Sequence, residues 1–336
     1  MSILVAGGAG YIGSHTVRAL LERGEQVLVL DDLREGHRAA VPDSVPLIEV
    51  DLQDRAATLE AIAEHQPEAV FHFAASCYVG ESVTDPGSYY QNNFISTLNL
   101  LDGMVAAGSR RFIFSSTCAT YGEPPSMPIT EEMPKEPVNP YGRTKLFCEG
   151  ALADYEVAHG IQSVSLRYFN AAGAHPSGEL GEDHAPETHL IPLVLQVALG
   201  QREDIKIFGT DYDTPDGTCI RDYIHIVDLA EAHILGLEAL REGRITRAAF
   251  NLGNEEGHSV RQVIEMSRKI TGHPIPAVET GRRAGDPPRL VGSSELARKV
   301  LGWQPRFGDL ESILETAWNW HRLHPQGYGS ATGEHD

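Results

Sequence analysis

Tyr141 and Lys145 stand four residues apart, a spacing that puts both side chains on one face of a helix. Such a pair can do proton chemistry. A free phenol has a pKa of roughly 10, but an ammonium one turn away, with a cationic cofactor beside it, favours the phenolate and makes Tyr141 a base near neutrality. The pair alone is weak evidence, because tyrosine and lysine often fall at this spacing by accident. Upstream, Arg111 to Ser115 reads as a strand that opens into Ser116-Thr117. That reading puts the Thr117 hydroxyl at the strand's exit, where a lone threonine is more often a turn residue than a catalyst. Together, a hydroxyl, a phenol and an ammonium would surround one substrate carbon.

Those side chains need a scaffold, and the N-terminal half supplies its pattern. Ile3-Leu4-Val5-Ala6 ends in Gly7-Gly8-Ala9-Gly10-Tyr11-Ile12-Gly13, after which Val17, Leu20 and Leu21 recur with helical spacing. In such a strand, turn and helix, Gly7 permits the tight turn, Gly10 admits a pyrophosphate to the backbone, and Gly13 lets helix and strand pack closely. The next strand, Gln26 to Leu30, ends at Asp31, where a dinucleotide fold places the acid that bonds the adenosine ribose and repels a 2′-phosphate. Asp31 therefore predicts NAD over NADP. Arg34 reads as a loop cation.

Strands at Leu47 to Val50 and Ala69 to Phe73, with a helix at 54–65 between them, continue the alternation that builds a parallel sheet. Asp51-Leu52 and Phe73-Ala74-Ala75 follow strand ends, the edge at which such sheets bind ligands. A helical stretch over 88–107 contains Asn92, and a second helix starts at 141 after a proline-rich loop. The expected fold class is α/β: a Rossmann-type doubly wound parallel sheet in residues 1-167, a smaller C-terminal α/β substrate domain in 168-328 that is partly interleaved with it, and a polar tail, 329-336. Further helices are expected near 188–200, 227–241, 259–270, 294–301 and 309–322.

Composition sets the outer bounds. With 22% charged and 41% hydrophobic residues, the 336-residue chain reads as globular. A formal charge of -20 argues against nucleic acid or an anionic membrane as a partner. Cys77, Cys118, Cys148 and Cys219 form no C-x-x-C pair, which predicts reduced thiols and the cytoplasm. No H-E-x-x-H or zinc-finger spacing occurs among the 15 histidines, so no catalytic metal is expected. The run from Met1 directly into a strand predicts no signal peptide, and no apolar run reaches membrane-spanning length.

The glycine loop, Asp31, Ser115-Ser116-Thr117 and Tyr141/Lys145 occur in the order seen in the extended short-chain dehydrogenase/reductase superfamily, which this chain resembles over nearly its full length. Within it the nearest likeness is to the UDP-glucose 4-epimerase family, carried further by Val79-Gly80-Glu81-Ser82, Tyr89-Tyr90-Gln91-Asn92-Asn93, Arg167-Tyr168-Phe169-Asn170, Asp216-Gly217-Thr218, Arg221-Asp222-Tyr223-Ile224-His225 and Gly285-Asp286-Pro287. The resemblance implies that Tyr11, Ile12, Asp31, Asp51, Leu52, Asn92, Ser115, Lys145 and Tyr168 contact NAD. It implies that Asn170, Phe208, Arg221, Tyr223, Arg283 and Asp286 hold a UDP-sugar; His189-Leu190 stands where some relatives have Asn-Leu against the uridine diphosphate, so His189 reads as a contact there or, more plainly, as a helix-start residue. It also implies a closed redox cycle: Tyr141 takes the proton of the sugar 4-hydroxyl, NAD accepts hydride from C4, the 4-ketose turns, and hydride returns to its other face. Thr117 would bond the 4-oxygen, and Lys145 would lower the phenol pKa and bind the nicotinamide ribose.

Relatives dimerise through a four-helix bundle, so a homodimer through the stretches 88–107 and 141–159 is implied as well. Ser76-Cys77-Tyr78 stands where many relatives carry a lysine near the cofactor pyrophosphate, which implies weaker NAD retention. Four residues after Asp286, Leu290 is intermediate in bulk at a position that sets room for an N-acetyl group. Good activity on UDP-glucose and UDP-galactose and weak activity on the N-acetylated pair are expected. A 4,6-dehydratase needs an acid after the threonine, where Cys118 and Ala119 stand. An epimerase for UDP-arabinose and UDP-xylose, a UDP-N-acetylglucosamine 4-epimerase, and an NAD-containing sensor that binds nucleotide sugars without turnover are the competing readings.

Overall fold

The computed structural model describes residues 2–283 and 286–329. Gly285 of the Gly-Asp-Pro segment and residues 330–336 of the expected tail lie outside the described residues. Seven parallel strands form the central sheet, running from edge to edge as Leu47–Glu49, Gln26–Asp31, Ser2–Ala6, Ala69–His72, Arg111–Thr117, Gln162–Tyr168 and Arg247–Leu252. Side chains alternate faces along a strand, and the sequence alternates with them. Ile3, Val5, Val29, Phe71, Ile113 and Val164 meet Val17 and Leu20 of the Tyr11–Glu22 helix and Leu229 and Leu237 of the Ile226–Arg241 helix. Leu4, Leu28, Leu30, Val70, Phe112 and Phe114 point the other way, against Ile62, Leu100, Met104 and Leu152. Both faces are covered, so the strands read as near-continuous apolar runs.

The chain winds outward from Ser2–Ala6 in both directions, and the order reverses between that strand and Ala69–His72. Ligands bind at such a switch point in open α/β sheets. Here the two strand ends touch closely: a Cβ on Gly7, whose φ is +78°, would lie 2.4 Å from the Ala74 nitrogen.

Most elements fall within two residues of the sequence reading. The 88–107 stretch is interrupted, with a π-helical turn at Tyr90–Ile95 before Ser96–Ala107. The Arg111 strand runs on to Thr117, two residues further than its apolar pattern, because Ser115, Ser116 and Thr117 pair in register with Leu166, Arg167 and Tyr168. After Tyr168, the Ile226–Arg241 helix and the Arg247–Leu252 strand rejoin the central sheet. The remainder builds two smaller cores, one around Leu195, Val263, Ile313 and Leu314, the other around Val194, Ile205, Ile207 and Ile264.

Candidate active site

The Pro140–His159 helix starts with proline at its first position and Asn139 as cap, the Asn139 side chain accepting from the Gly142 nitrogen at 2.8 Å. Tyr141 and Lys145 are thereby fixed one turn apart, at 9% and 3% exposure. Thr117, 6% exposed, faces them from the end of its strand, and its hydroxyl accepts from the Ala119 nitrogen at 3.1 Å. The structure therefore brings the three residues together, but their electrostatics differ from the expectation. Burial drives the Tyr141 phenol well above its ordinary pKa, with Tyr168 acting in the same sense and the Thr117 hydroxyl opposing. Lys145 is pushed down to about 8 by its own burial. Its ammonium donates to the Ser115 carbonyl at 2.9 Å and lies 4.9 Å above the Phe114 ring centroid, so in the protein alone it serves the strand rather than the phenol.

The glycine loop fits a dinucleotide. A Cβ at Gly13 would stand 2.0 Å from the Gly7 oxygen, so that position admits glycine alone. At Gly10 the nearest atom would be 3.5 Å away, which leaves open the space a pyrophosphate needs. No side chain caps the Tyr11–Glu22 helix, so its first amide groups are free to meet an anion. Asp31 is 7% exposed and accepts from the Ala9 and Leu33 nitrogens, each at 2.9 Å; burial raises its pKa. Each carboxylate oxygen keeps a second lone pair for a ribose hydroxyl. Arg34 bonds Asp32 at 2.8 Å and reaches Asp51 at 3.2 Å, so it is paired with acids on both sides.

Several other expected cofactor residues end or follow strands of the central sheet. The Phe73 and Ala74 nitrogens both donate to the Ala6 carbonyl, and Ala75 follows them. Leu52 is buried. Asn92 donates to the Ser76 hydroxyl at 2.9 Å, beside an exposed Cys77. Ser115 and Tyr168 share a hydrogen bond of 2.6 Å. Tyr11 turns its hydroxyl away from the loop to the Gly173 carbonyl at 2.6 Å, so any contact it makes with a pyrophosphate runs through its backbone; Ile12 follows in the same first turn.

The expected sugar-nucleotide residues gather in the C-terminal half. Arg221 is ion-paired with Asp286, and the Arg283 guanidinium lies 3.9 Å over the Phe208 ring. Asn170 donates to the Asp222 carbonyl at 2.8 Å, and Tyr223 is buried. Leu290 pairs in register with Arg221, which puts it beside that cation. Asp222, buried and pushed up to about 6, accepts from the Asn254 and Gly292 nitrogens and ties three segments together. His189 precedes the Leu190–Ala198 helix but does not cap it; its ring turns to Glu182 and Glu187 instead.

Two groups escaped the sequence reading. One is the pair of Glu149 and Arg167, buried under the active-site strand. The other is Glu182, His184 and Glu187 around His189. The spacing Glu-x-His-x-x-Glu-x-His was visible in the chain. The Glu149 pair had only its position, two helical turns after Tyr141, as a signal.

A family model described as the NAD dependent epimerase/dehydratase family matches residues 3–253. A UDP-glucose 4-epimerase of Halalkalibacterium halodurans is 55% identical over 98% of this chain and 98% of its own length. One from Streptococcus mutans is 52% identical over 98% and 99%. A solved UDP-glucose 4-epimerase from Brucella ovis in complex with NAD superposes with a TM-score of 0.92 at 48% identity, covering 94% of this chain and 97% of that one. Another from Bifidobacterium longum, in complex with NAD+ and UDP, gives 0.92 at 39% identity over 97% and 100%.

Proposed function

The chain belongs to the NAD dependent epimerase/dehydratase family, and from that premise we propose how its residues perform the reaction. It is an NAD-dependent isomerase that interconverts UDP-glucose and UDP-galactose by inverting C4. One observation carries the residue assignment: Thr117, Tyr141 and Lys145 are buried together at the sheet edge, beside a glycine loop whose open position is Gly10. NAD is the cofactor, and the chemistry it supplies when bound is reversible hydride transfer at C4.

The chain's own residues do the rest. Tyr141 takes the proton of the 4-hydroxyl and later returns it, Thr117 bonds the 4-oxygen, and Lys145 supplies positive charge one turn below the phenol. Because burial raises the Tyr141 phenol in the protein alone, its activation belongs to the loaded site, where a cationic ring adds to the Lys145 charge. Gly7, Gly10, Tyr11, Ile12, Gly13, Asp31, Asp51, Leu52, Phe73, Ala74, Ala75, Asn92, Ser115 and Tyr168 bind the dinucleotide. Asn170, His189, Leu190, Phe208, Arg221, Tyr223, Arg283, Asp286 and Leu290 hold the UDP-sugar. The first 167 residues serve mainly the cofactor and 168-328 mainly the sugar nucleotide.

The assembly is a homodimer, supported by Phe147, which is 48% exposed and packs on Tyr90 and Phe94 across the Tyr90–Ala107 and Pro140–His159 helical segments. Four free thiols support a cytoplasmic setting. Tyr141→Phe tests the assignment. Turnover should fall by about 10²–10⁴-fold while calorimetry shows UDP-sugar binding intact; near-native turnover would remove Tyr141 from its role.

A further inference from the structure

The segment leading into the Leu190–Ala198 helix holds a cluster with no part in the reaction above beyond the His189 contact. Glu182, His184, Glu187 and His189 each offer one ligand atom, and these atoms lie within 4.8 Å of one another. The His189 Nδ1 stands 2.9 Å from Glu182 Oε1, and the His184 Nδ1 stands 3.4 Å from that same oxygen and 3.5 Å from Glu187 Oε2; the 3.1 Å contact of His189 is to the other Glu187 oxygen, Oε1. Zinc bonds to nitrogen and oxygen of about 2.0–2.1 Å imply ligand-to-ligand edges of about 3.3–3.4 Å in a tetrahedron. The three edges that share one oxygen per carboxylate, 2.9, 3.4 and 3.5 Å, bracket that length.

A second observation points inward. The His184 Nδ1 is buried and satisfies no hydrogen bond, although it faces two carboxylates. A lone pair aimed at a shared centre produces that arrangement. The surroundings also orient the ligands: Glu187 Oε1 accepts from the Thr188 and His189 nitrogens at 2.7 and 2.8 Å, which turns its other oxygen to His184. The Glu182 and Glu187 side chains are only 5% and 6% exposed, so two carboxylates here require compensating charge.

We propose that Glu182, His184, Glu187 and His189 form a structural site for a divalent transition-metal ion, with the two-nitrogen, two-oxygen ligand set that suits zinc. The His184 ring meets the Tyr11 ring edge-on at 6.2 Å, and the Glu182 carbonyl accepts from the Trp320 indole at 3.3 Å. An ion held there clamps the 182–189 segment between the start of the first helix and the Leu310–Leu323 helix. The competing occupant is a pair of protons, which would make both imidazoles cationic and satisfy the same carboxylates.

The test is calorimetric titration of the chelator-treated full chain, free of any purification tag, with zinc chloride alone. One saturable equivalent is expected, and His184→Gln and Glu187→Gln, each checked for a native circular-dichroism spectrum, should weaken it by at least about tenfold. Absence of that equivalent in the wild type, or equal affinity in both variants, overturns the proposal. Cobalt(II) substitution of the wild type needs no variant: tetrahedral d–d bands without thiolate charge transfer are expected, whereas a thiolate band would put the ion on a cysteine and overturn it.

Discussion

Lys145 separates the state of the site in the bare protein from its state at work. Its ammonium is buried at 3% exposure and its pKa is pushed from 10.5 down to about 8. Between about pH 8 and 10.5 the unfolded chain therefore binds more protons than the folded one, and the free energy of unfolding rises with pH across that window. At about 1.4 kcal/mol per unit the rise is ~3 kcal/mol. Cys118 and Cys148, whose thiols burial pushes up, act in the opposite sense above pH 9, so the contribution is read as the difference between wild type and Lys145→Met in denaturant melts of the cofactor-free protein at pH 7 and pH 10. An unchanged slope in the variant would mean that Lys145 is charged at its ordinary pKa. That Tyr141 and Lys145 share one helix face was legible from spacing, whereas the sense of the phenol's shift was not. Spacing reports a neighbour's charge, but the depth of burial that outweighs it comes from strands far away in the chain.

At the scale of elements, the Pro140–His159 helix must hold Tyr141 against the Thr117 strand, and two local features do this. Asn139→Ala removes the cap at a cost of about 1 kcal/mol, and because the cap lies two residues before Tyr141, kcat should fall more than KM rises. Further along, Glu149 accepts from the Ser116 hydroxyl at 2.6 Å and from Arg167 Nε at 2.9 Å, with side-chain exposures of 4% for Arg167 and 11% for Glu149. Arg167→Met leaves a buried carboxylate unpaired and should destabilise the fold by about 3–5 kcal/mol in thermal or denaturant melts. The glycine loop gives a sharper contrast. Gly13→Ala collides with the Gly7 oxygen and should disturb folding, while Gly10→Ala finds room within the protein and should fold normally yet release NAD. Absorbance of the purified variants near the nicotinamide band, beside their melting curves, separates the two. Helices and long strands were legible because their apolar periods are strong. The π turn at Tyr90–Ile95 and the two-residue strands Ile220–Arg221 and Arg289–Leu290 were not, because tertiary pairing rather than local pattern makes them.

For the whole molecule, the parallel sheet followed from the alternation of strands and helices, and the switch point between Ser2–Ala6 and Ala69–His72 became visible only with the strand order. The return of Arg247–Leu252 to the sheet's edge was only coarsely legible as interleaving, since its partner Gln162–Tyr168 lies about 80 residues earlier in the chain. The Glu182 to His189 cluster was passed over because its spacing matches no familiar zinc pattern; only the fold turns all four side chains to one centre. The proposed dimerisation through the Phe147 face predicts that Phe147→Glu sediments as a monomer, and a wild-type monomer would contradict it. The proposed mechanism requires one buried site both to retain NAD and to invert C4. It is tested most directly by incubating the purified protein with UDP-galactose, without added NAD, and resolving the sugar nucleotides by chromatography. UDP-glucose is expected to accumulate to an equilibrium ratio with no net change in nicotinamide absorbance; UDP-glucose only after NAD is added would contradict retention, and none even then would contradict the inversion of C4.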